Sequence, residues 1–246
     1  MSRSSSLLRV NSFQSLGALD GPGIRFVVFV QGCPLRCGCC HNPETQPTEG
    51  GQLWRVSDLL DKARRFRPYF GKNGGITVSG GEPLLQDAGV EELFSLCRRE
   101  GISTCLDTSG CCWDDSFNAL LNQTDFCLLD IKYTNEADYR RYAGCSLRQP
   151  LFFLSKLEEK GVATRLRQVL IPGYNDTPEN VGALARIAAA HSCVRETEWL
   201  PFSGLCREKY EKLGKAFPFA HVASPSRQDL TELAVYWERD SGPLIF

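Results

Sequence analysis

Apolar runs that predict strands alternate along the chain with segments whose apolar residues recur every three or four positions. Six such runs are predicted strands, and the first of them (IRFVVFVQ) is rich in β-branched and aromatic side chains, which is typical of a buried strand. These predicted strands span residues 24–31, 75–79, 102–107, 126–132, 163–171 and 196–201. The helical spacing predicts helices at 56–69, 88–100, 114–122, 150–160, 177–191 and 228–239. Thr177 is a favourable N-cap ahead of Pro178, which marks the start of one of these helices.

The repeated strand–helix order indicates a parallel sheet with helices outside it. Six strand–helix units are fewer than the eight of a complete barrel. The predicted fold class is therefore α/β, a partial (β/α)6 barrel that is open on one side and forms a single domain. We expect an N-terminal extension at 1–23, the barrel core at 24–203 and a helical or strand segment at 204–246.

The candidate binding and catalytic residues lie where the predicted strands end. The active sites of parallel barrels lie at the carboxyl ends of their strands. These residues are Gly32 and Cys33 after the first strand, Gly80, Gly81 and Glu82 after the second, Asp107 and Thr108 at the third, Asp130 and Lys132 at the fourth, and Ser203 after the sixth. Arg167 lies within the fifth strand. The predicted site is therefore at this end of the barrel.

The composition narrows the class of protein. Apolar residues make up 42% and charged residues 23% of the chain, as in ordinary soluble globular proteins. The net charge of −1 gives no general attraction to nucleic acid or to anionic membranes. No apolar run reaches about 18 residues, so we expect no membrane span. Residues 1–15 lack the apolar core of a signal peptide, which makes the cytoplasm the expected compartment.

Twelve cysteines are many for 246 residues, and a reducing cytoplasm favours thiols or metal ligands over disulfides. Cys33, Cys37 and Cys40 form a C-x3-C-x2-C motif in a tight loop. Three thiolates suit an iron–sulfur cluster with one iron open to an external chelating group, because such clusters usually need four ligands. His41 also permits a zinc site, and Cys39 is an alternative third thiol. Most of the nine remaining cysteines are expected to be small buried apolar residues.

Three other groups have both a structural and a functional interpretation. In the segment 80–82, the paired glycines suit a turn, but bare backbone can also approach a ligand, and the glutamate is either surface charge or a supporting residue. Asp130 and Lys132 share one face of an apolar strand, either as a buried salt bridge or as ligand contacts. Arg167 is either a surface arginine or a guanidinium that meets a carboxylate with paired hydrogen bonds.

Several motifs together resemble one protein superfamily. The cysteine motif followed by SGGEP at 79–83 is similar to the radical S-adenosylmethionine enzymes. The other matching segments are 20–26 (DGPGIRF), 31–37 (QGCPLRC), 40–42 (CHN), 105–108 (CLDT), 129–132 (LDIK), 171–174 (IPGY) and 200–202 (LPF). Within the superfamily, the chain resembles the glycyl radical enzyme activases over nearly its whole length, and most of all those of the pyruvate formate-lyase type.

The resemblance implies a [4Fe–4S] cluster on Cys33, Cys37 and Cys40, whose open iron binds the amino and carboxylate groups of S-adenosyl-L-methionine. One-electron reduction would cleave the sulfonium, and the resulting 5′-deoxyadenosyl radical would take a hydrogen atom from a glycine of a partner enzyme. The implied cofactor contacts are Gly80 and Gly81 with Glu82 in support, Asp130, Ile131, Lys132, Arg167, Ser203, and the backbone of Cys39, Cys40 and His41.

The resemblance also implies a monovalent cation near the cofactor. Its ligands would be Asp20, Asp107 and Thr108 together with the backbone carbonyl of Leu128. Oxygen-only ligation suits hard cations such as Na+ or K+. Capping and loop hydrogen bonds are the alternative role for the same residues.

Two positions depart from the family pattern. Cys39 stands where an aromatic residue usually packs beside the adenine, and Ser203 stands where a histidine is usual. Serine keeps one hydrogen-bonding group but loses the ring, so the contact at position 203 is expected to change. Without an aromatic ring at position 39, stacking on the adenine is expected to be weaker. Residues 42–75 contain no cysteine, unlike activases with additional ferredoxin-like clusters, which favours the compact pyruvate formate-lyase type.

The expected partners are a glycyl radical enzyme of the pyruvate formate-lyase type and a flavodoxin- or ferredoxin-type electron donor. We expect a monomer with no nucleic acid or membrane partner. An incomplete barrel leaves one side open, wide enough for a peptide loop to enter. Two alternatives stay open: a radical enzyme that acts on a small molecule, and a zinc-binding structural protein without enzymatic activity.

Overall fold

The computed structural model describes residues 6–237 and 241–246, and the chain forms two compact units. The first unit combines the described part of Met1–Pro34 with Thr45–Thr108 and Cys112–Leu128. The second unit combines Leu35–Glu44, Ser109–Cys111 and the described part of Leu129–Phe246. The cysteine motif is divided between them, because the boundary follows Pro34.

The elements of the described residues follow the predicted alternation. The strands are β1 (Leu7–Gly17), β2 (Arg25–Val30), β3 (Gln52–Arg55), β4 (Gly75–Gly80), β5 (Ser103–Thr108), β6 (Phe126–Asp130), β7 (Ala163–Leu170), β8 (Val194–Pro201) and β9 (Leu244–Ile245). The helices are α1 (Val56–Arg64), α2 (Arg67–Phe70), α3 (Asp87–Arg99), α4 (Phe117–Asn122), α5 (Glu136–Asp138), α6 (Arg148–Glu159), α7 (Pro178–Ala189), α8 (Arg207–Lys212) and α9 (Arg227–Ala234).

In the first unit, β2, β4 and β5 are parallel neighbours, and β1 pairs antiparallel with both β2 and β3. Nearly every residue of β2 is buried, as expected for a strand covered on both faces. The apolar face of α3, which includes Leu93 and Phe94, is fully buried, and α3 packs against α1 and α4. Val30 and Gly80 are register partners, so β2 and β4 end side by side.

In the second unit, β7, β8 and β9 are parallel neighbours. Arg167 on β7 is opposite Glu198 on β8. The buried Trp199 side chain points away from that charged face, because adjacent side chains of a strand alternate, and its ring packs edge-on against Trp237. This unit therefore has an apolar face under its helices and a charged face on the other side of β7 and β8.

All six predicted strands are present, and the predicted helices are present with shifted ends. Thr177 caps α7 as expected, because its side chain accepts a hydrogen bond from the backbone N–H of Asn180 at 3.2 Å. The helix predicted for 56–69 is two helices, since Pro68 in the first turn of α2 cannot donate to a preceding turn. The end predicted at Arg239 lies outside the described residues.

Two further differences have local causes. The helix predicted from Asp114 begins at Phe117, because the Asp114 carboxylate accepts a hydrogen bond from the Ser116 N–H at 2.9 Å and holds a turn. Strand β1 was not predicted, and it lies within the proposed N-terminal extension. No helix among the described residues is long and apolar enough to cross a membrane. The proposed division at 1–23, 24–203 and 204–246 stays a prediction.

Candidate active site

Cys33 follows β2 in the first unit, and backbone contacts define its position. The N–H of Cys33 donates to the carbonyl of Gln46 at 3.1 Å, and the N–H of Gly32 donates to the carbonyl of Thr45 at 2.7 Å. Gly32 has a φ of +97°, a conformation that favours glycine. The turn therefore directs the chain from a buried strand to a half-exposed thiol.

The other motif cysteines lie in residues 35–44 of the second unit, here called the cluster loop. The N–H of Cys40 donates to the carbonyl of Cys37 at 3.2 Å, which closes a tight turn, and both thiols are half-exposed. Cys39 differs, because it is buried. Burial raises the pKa of the Cys39 thiol to about 11, against the lowering effect of the Lys132 charge. Its burial sets Cys39 apart from the half-exposed Cys37 and Cys40 thiols, which fits Cys40 as the third ligand.

The donor set fits an iron–sulfur cluster by its chemistry. Cys33, Cys37 and Cys40 share partial exposure and the motif spacing, and thiolates are the usual ligands of iron–sulfur clusters. Within residues 6–237 and 241–246, no three His, Cys, Asp or Glu side chains converge closely enough to hold a single metal ion. Cluster thiolates bind separate irons and need no such convergence. The ligand assignment stays a prediction.

Lys209 on α8 contacts the carboxyl end of the cluster loop. Its ammonium donates to the backbone carbonyl of His41 at 2.9 Å, to the side-chain carbonyl of Asn42 at 2.8 Å and to the carboxylate of Glu44 at 2.7 Å. The His41 ring nitrogen Nε2 lies 3.2 Å from the carbonyl of Ser203. Partial desolvation, together with the nearby charges of Lys209 and Lys132, lowers the pKa of His41.

Gly38 lies against an aromatic ring. Its N–H donates to the carbonyl of Tyr142 at 3.1 Å. A Cβ at this position would lie 2.8 Å from a ring carbon of Phe219, closer than side chains tolerate. The Phe219 ring is in turn held by Tyr174, whose ring centre is 4.7 Å away. Only glycine fits at position 38 without displacement of this ring.

Asp130, Lys132 and Arg167 form a largely buried ionic group. The Lys132 ammonium lies 2.6 Å from one carboxylate oxygen of Asp130, and Arg167 Nε lies 2.9 Å from the other. Burial disfavours the charged carboxylate, but the charges of Arg167 and Lys132 outweigh it and lower the pKa of Asp130. Burial also opposes the charge on Lys132, whose pKa is nevertheless raised by Asp130. Both cations therefore share the Asp130 carboxylate.

Ile131 lies between the two charged residues and is fully buried. Its N–H donates to the carbonyl of Arg167 at 2.9 Å, and its carbonyl accepts from the Gln168 side chain at 3.0 Å. Both the N–H and the carbonyl of Ile131 are therefore bonded to β7. These two bonds fix the positions from which Asp130 and Lys132 project.

The segment 80–82 is closely packed in the first unit. Cβ atoms added to Gly80 and Gly81 would collide with the backbone at the end of β2 and with the carbonyl of Gly32, respectively, and Gly80 has a φ of +110°. Glu82 is 1% exposed, so it is not a surface charge. Its carboxylate accepts hydrogen bonds from the Thr108 hydroxyl at 2.5 Å and from the Leu84 N–H at 3.2 Å. The glutamate therefore supports the turn.

The predicted cation ligands all belong to the first unit. The Asp107 carboxylate accepts from the Ser79 hydroxyl at 2.7 Å, and the Asp20 carbonyl accepts from the Thr77 hydroxyl at 2.7 Å. Thr108 donates to Glu82, and Leu128 is fully buried on β6. These bonds fit the capping alternative without testing the cation, so the cation site stays a prediction.

Ser203 is half-exposed after β8, and its hydroxyl accepts from the N–H of Leu205 at 3.3 Å. Sequence reasoning named Ser203 but missed Lys209, Phe219 and Gly38. The spacing of apolar residues carries no signal for these contacts. The one available clue was a glycine inside the motif, directly after Cys37.

Comparisons with known proteins identify a matching family model and close relatives of this chain. The family model of a 4Fe-4S single cluster domain matches residues 19–149. The chain is 39% identical over 229 residues to the pyruvate formate-lyase-activating enzyme of Clostridium pasteurianum, covering 93% of this chain and 96% of the relative. It is 34% identical over 241 residues to the pyruvate formate-lyase 1-activating enzyme of Escherichia coli strain K12, covering 97% and 98%.

A solved structure shows the fold. A radical SAM methyltransferase from Sphaerobacter thermophilus matches with a TM-score of 0.66 and 17% identity, covering 90% of this chain and 66% of the methyltransferase. This likeness confirms the predicted α/β class with a partial barrel.

Proposed function

The chain belongs to the family of pyruvate formate-lyase-activating enzymes within the radical S-adenosylmethionine superfamily, and we propose that it activates pyruvate formate-lyase or a close glycyl radical enzyme. The reaction would remove a hydrogen atom from a glycine of that partner. The observation that carries the proposal is the match to named activating enzymes along nearly the whole of both chains.

Cys33, Cys37 and Cys40 hold the [4Fe–4S] cluster in this proposal. Bound cluster and S-adenosylmethionine supply one-electron, radical chemistry that the side chains of the protein lack. Cys39 lies beside the ligands as a protonated thiol, because burial raises the pKa of Cys39 to about 11. Its backbone, with that of Cys40 and His41, would contact the adenine.

The ionic group of Asp130, Lys132 and Arg167 would bind and orient the S-adenosylmethionine. The Arg167 guanidinium suits the carboxylate of the methionine part, because its planar set of N–H donors matches carboxylate geometry, and the Asp130 carboxylate is a hydrogen-bond acceptor for the ribose. Ile131 would contribute backbone, and Ser203 a hydroxyl. The bare backbone of Gly80 and Gly81 would face the methionine amino group, while Glu82 supports the turn.

The test is anaerobic, with reduced protein, S-adenosylmethionine and pyruvate formate-lyase. We expect an electron paramagnetic resonance doublet from a carbon-centred radical coupled to the α-hydrogen of glycine. A partner with its target glycine replaced by alanine serves as the control and should give no signal. Formation of 5′-deoxyadenosine with a small metabolite alone, and never with a glycyl radical partner, would overturn the proposal.

The electron donor in this proposal is a small acidic carrier of the flavodoxin or ferredoxin type. Arg36 is exposed in the cluster loop, and its N–H donates to the carbonyl of Ala143 at 3.2 Å. Arg141 and Arg148 are exposed on the neighbouring segment. A cationic surface beside the cluster loop supports docking of an acidic protein, since complementary charge raises the rate of encounter.

Charge reversal tests this surface. Arg141→Glu should slow cluster reduction by reduced flavodoxin about tenfold at low salt, with a smaller effect at high salt. Reduction by dithionite, a small anion, should change much less. Arg227→Glu on α9 is the matched control. Equal slowing by both substitutions would remove the cationic surface from the proposal.

The finer properties are also proposals. Asp20, Asp107, Thr108 and the Leu128 carbonyl would hold Na+ or K+, the chain would be monomeric, and it would work in the cytoplasm. Replacing Na+ and K+ by a bulky organic cation should weaken S-adenosylmethionine binding, and Asp107→Asn should remove that dependence. Sedimentation analysis measures the oligomeric state directly.

A further inference from the structure

The segment 203–219 follows β8 and contacts the cluster loop at three places, and we call it the clamp segment. The contacts are made by Ser203, Lys209 and Phe219. We propose that Lys209 and Phe219 are positioning residues that set the conformation of the cluster loop from outside, before any cluster binds. The inference rests on the proposed function only in assigning a cluster to this loop.

Lys209 is the polar anchor. An ammonium has three N–H donors, and each of them has an acceptor in the last residues of the cluster loop, at 2.7–2.9 Å. One acceptor is a carboxylate, that of Glu44, which makes this bond a charge-assisted ion pair. Because the three acceptors come from His41, Asn42 and Glu44, one side chain fixes the path of the chain directly after Cys40.

His41 adds a second polar contact in the opposite direction. The carbonyl of Ser203 can only accept a hydrogen bond, so the His41 ring must donate through Nε2–H. The loop and the clamp segment therefore exchange donors, with Lys209 donating to the loop and His41 donating to the clamp segment.

Phe219 is the apolar anchor. Its ring occupies the space that a Cβ on Gly38 would need, and Phe219 is only 3% exposed. Gly38 stands between Cys37 and Cys39, so this contact acts on the middle of the motif. The rings of Tyr174 and Tyr142 pack around Phe219, at 4.7 and 6.1 Å between centres, and keep it in place.

The clamp segment has its own support, which decides which side depends on the other. Tyr210 and Phe217 pack at 4.9 Å between ring centres, and Phe217 stacks on the buried Phe202 at 6.1 Å. The segment is thus anchored in the core independently of Lys209. The cluster loop, by contrast, contains no Phe, Tyr or Trp, and its last residues are held by the Lys209 contacts. Loss of the Lys209 contacts should therefore loosen the loop and leave the clamp segment ordered.

The first experiment measures amide hydrogen exchange in the cluster-free protein. Lys209→Met should speed exchange in residues 35–44 by about tenfold, the factor that corresponds to one lost charge-assisted hydrogen bond, while 203–219 keeps its protection. Lys209→Arg should restore part of the protection. Lys212→Met, an exposed lysine on the same helix, is the control and should change nothing. Unchanged exchange in the loop, or equal loss in both segments, would overturn the role of Lys209.

The loaded enzyme supplies a readout that a purely structural role would not move. Lys209→Met should alter the paramagnetic resonance spectrum of the reduced cluster and its response to S-adenosylmethionine, with about four irons still bound. An identical spectrum would contradict the inference. If the spectrum responds as expected but no glycyl radical partner is activated, the proposed function is wrong and the positioning role of Lys209 is still supported.

The second experiment tests the Gly38–Phe219 contact by rescue. Gly38→Ala alone should speed exchange in the cluster loop, because the new methyl group displaces the Phe219 ring. Phe219→Leu removes the colliding ring atoms, so the double variant should exchange more slowly than Gly38→Ala. Additive damage in the double variant would show that the two residues act separately. Gly204→Ala, where an added Cβ meets no atom within 4 Å, controls for the loss of glycine flexibility.

Discussion

The glycine turn at 80–82 in the first unit and the cluster loop in the second are both predicted to serve the same cofactor, but different forces hold them. At Gly80 and Gly81 the backbone is packed so closely on the end of β2 and on Gly32 that no Cβ fits. The cluster loop is held instead by side chains, chiefly the ammonium of Lys209 and the ring of Phe219. At Gly80 and Gly81 backbone packs directly on backbone, whereas the cluster loop is held by side chains from another segment, and Gly38 leaves room for one of them.

This difference has a consequence for how each region fails. Close backbone packing tolerates no added volume. Charged contacts tolerate small changes in volume but not the loss of a partner, because the remaining group is left in a partly buried place. Removal of the Lys209 charge should therefore loosen the cluster loop and leave the glycine turn unchanged.

The largest expected effect is the loss of the cluster. Cys33→Ala, Cys37→Ala and Cys40→Ala should each abolish cluster assembly and S-adenosylmethionine cleavage, while Cys39→Ala should retain about four irons. Anaerobic iron and sulfide analysis with a visible spectrum measures this. Retention of the cluster in Cys40→Ala together with its loss in Cys39→Ala would reverse the ligand assignment.

The next largest effect is on the glycine turn. Gly80→Ala should lower the free energy of unfolding by about 3 kcal/mol or more, since the change adds both backbone strain and a collision. Gly101→Ala is the matched control, because Gly101 also has a positive φ but open space around it. That control should cost only about 1–2 kcal/mol. Equal costs in denaturant unfolding would mean that close packing contributes nothing.

A smaller effect is expected on cofactor affinity. Asp130→Ala and Arg167→Ala should each weaken S-adenosylmethionine binding by about 1.5–3 kcal/mol and leave iron content unchanged. Arg165→Ala is a control on the same strand, since Arg165 pairs with Glu196 and Glu198 instead. Anaerobic calorimetry provides the measurement. Equal affinity in wild type and both variants would remove the ionic group from the cofactor site.

The smallest effect concerns acid stability. The pKa of Asp130 is lowered in the folded protein, so its ionisation stabilises the fold above the unfolded value of about 3.9, and this contribution is lost as the pH falls through the folded pKa. Asp130→Asn should therefore unfold with a flatter pH dependence below about pH 4 than wild type. The measurement is the free energy of unfolding in urea at several pH values. If wild type and Asp130→Asn show the same pH dependence, the partners of Asp130 do not stabilise its charged form.

Local pattern predicted the elements well where the side chains of a few neighbouring residues decide the structure. Thr177 and Pro178 marked the start of α7 correctly. The pattern failed at β1, whose residues range from buried to exposed and whose pairing with β2 and β3 is antiparallel, unlike the parallel pairing of β2, β4 and β5. It also failed at Asp114, where one carboxylate hydrogen bond outweighs helical spacing.

The sequence by itself determined the thiol motif, the order of the strands and helices, and the family, because these depend on residue types at short spacings. Only the tertiary structure decided which thiol is buried and how the cluster loop is held. The atoms that Lys209 binds belong to residues that precede it in the sequence by 165 to 168 positions. No local pattern encodes such a contact, because it forms only when the segment that follows β8 packs against the cluster loop.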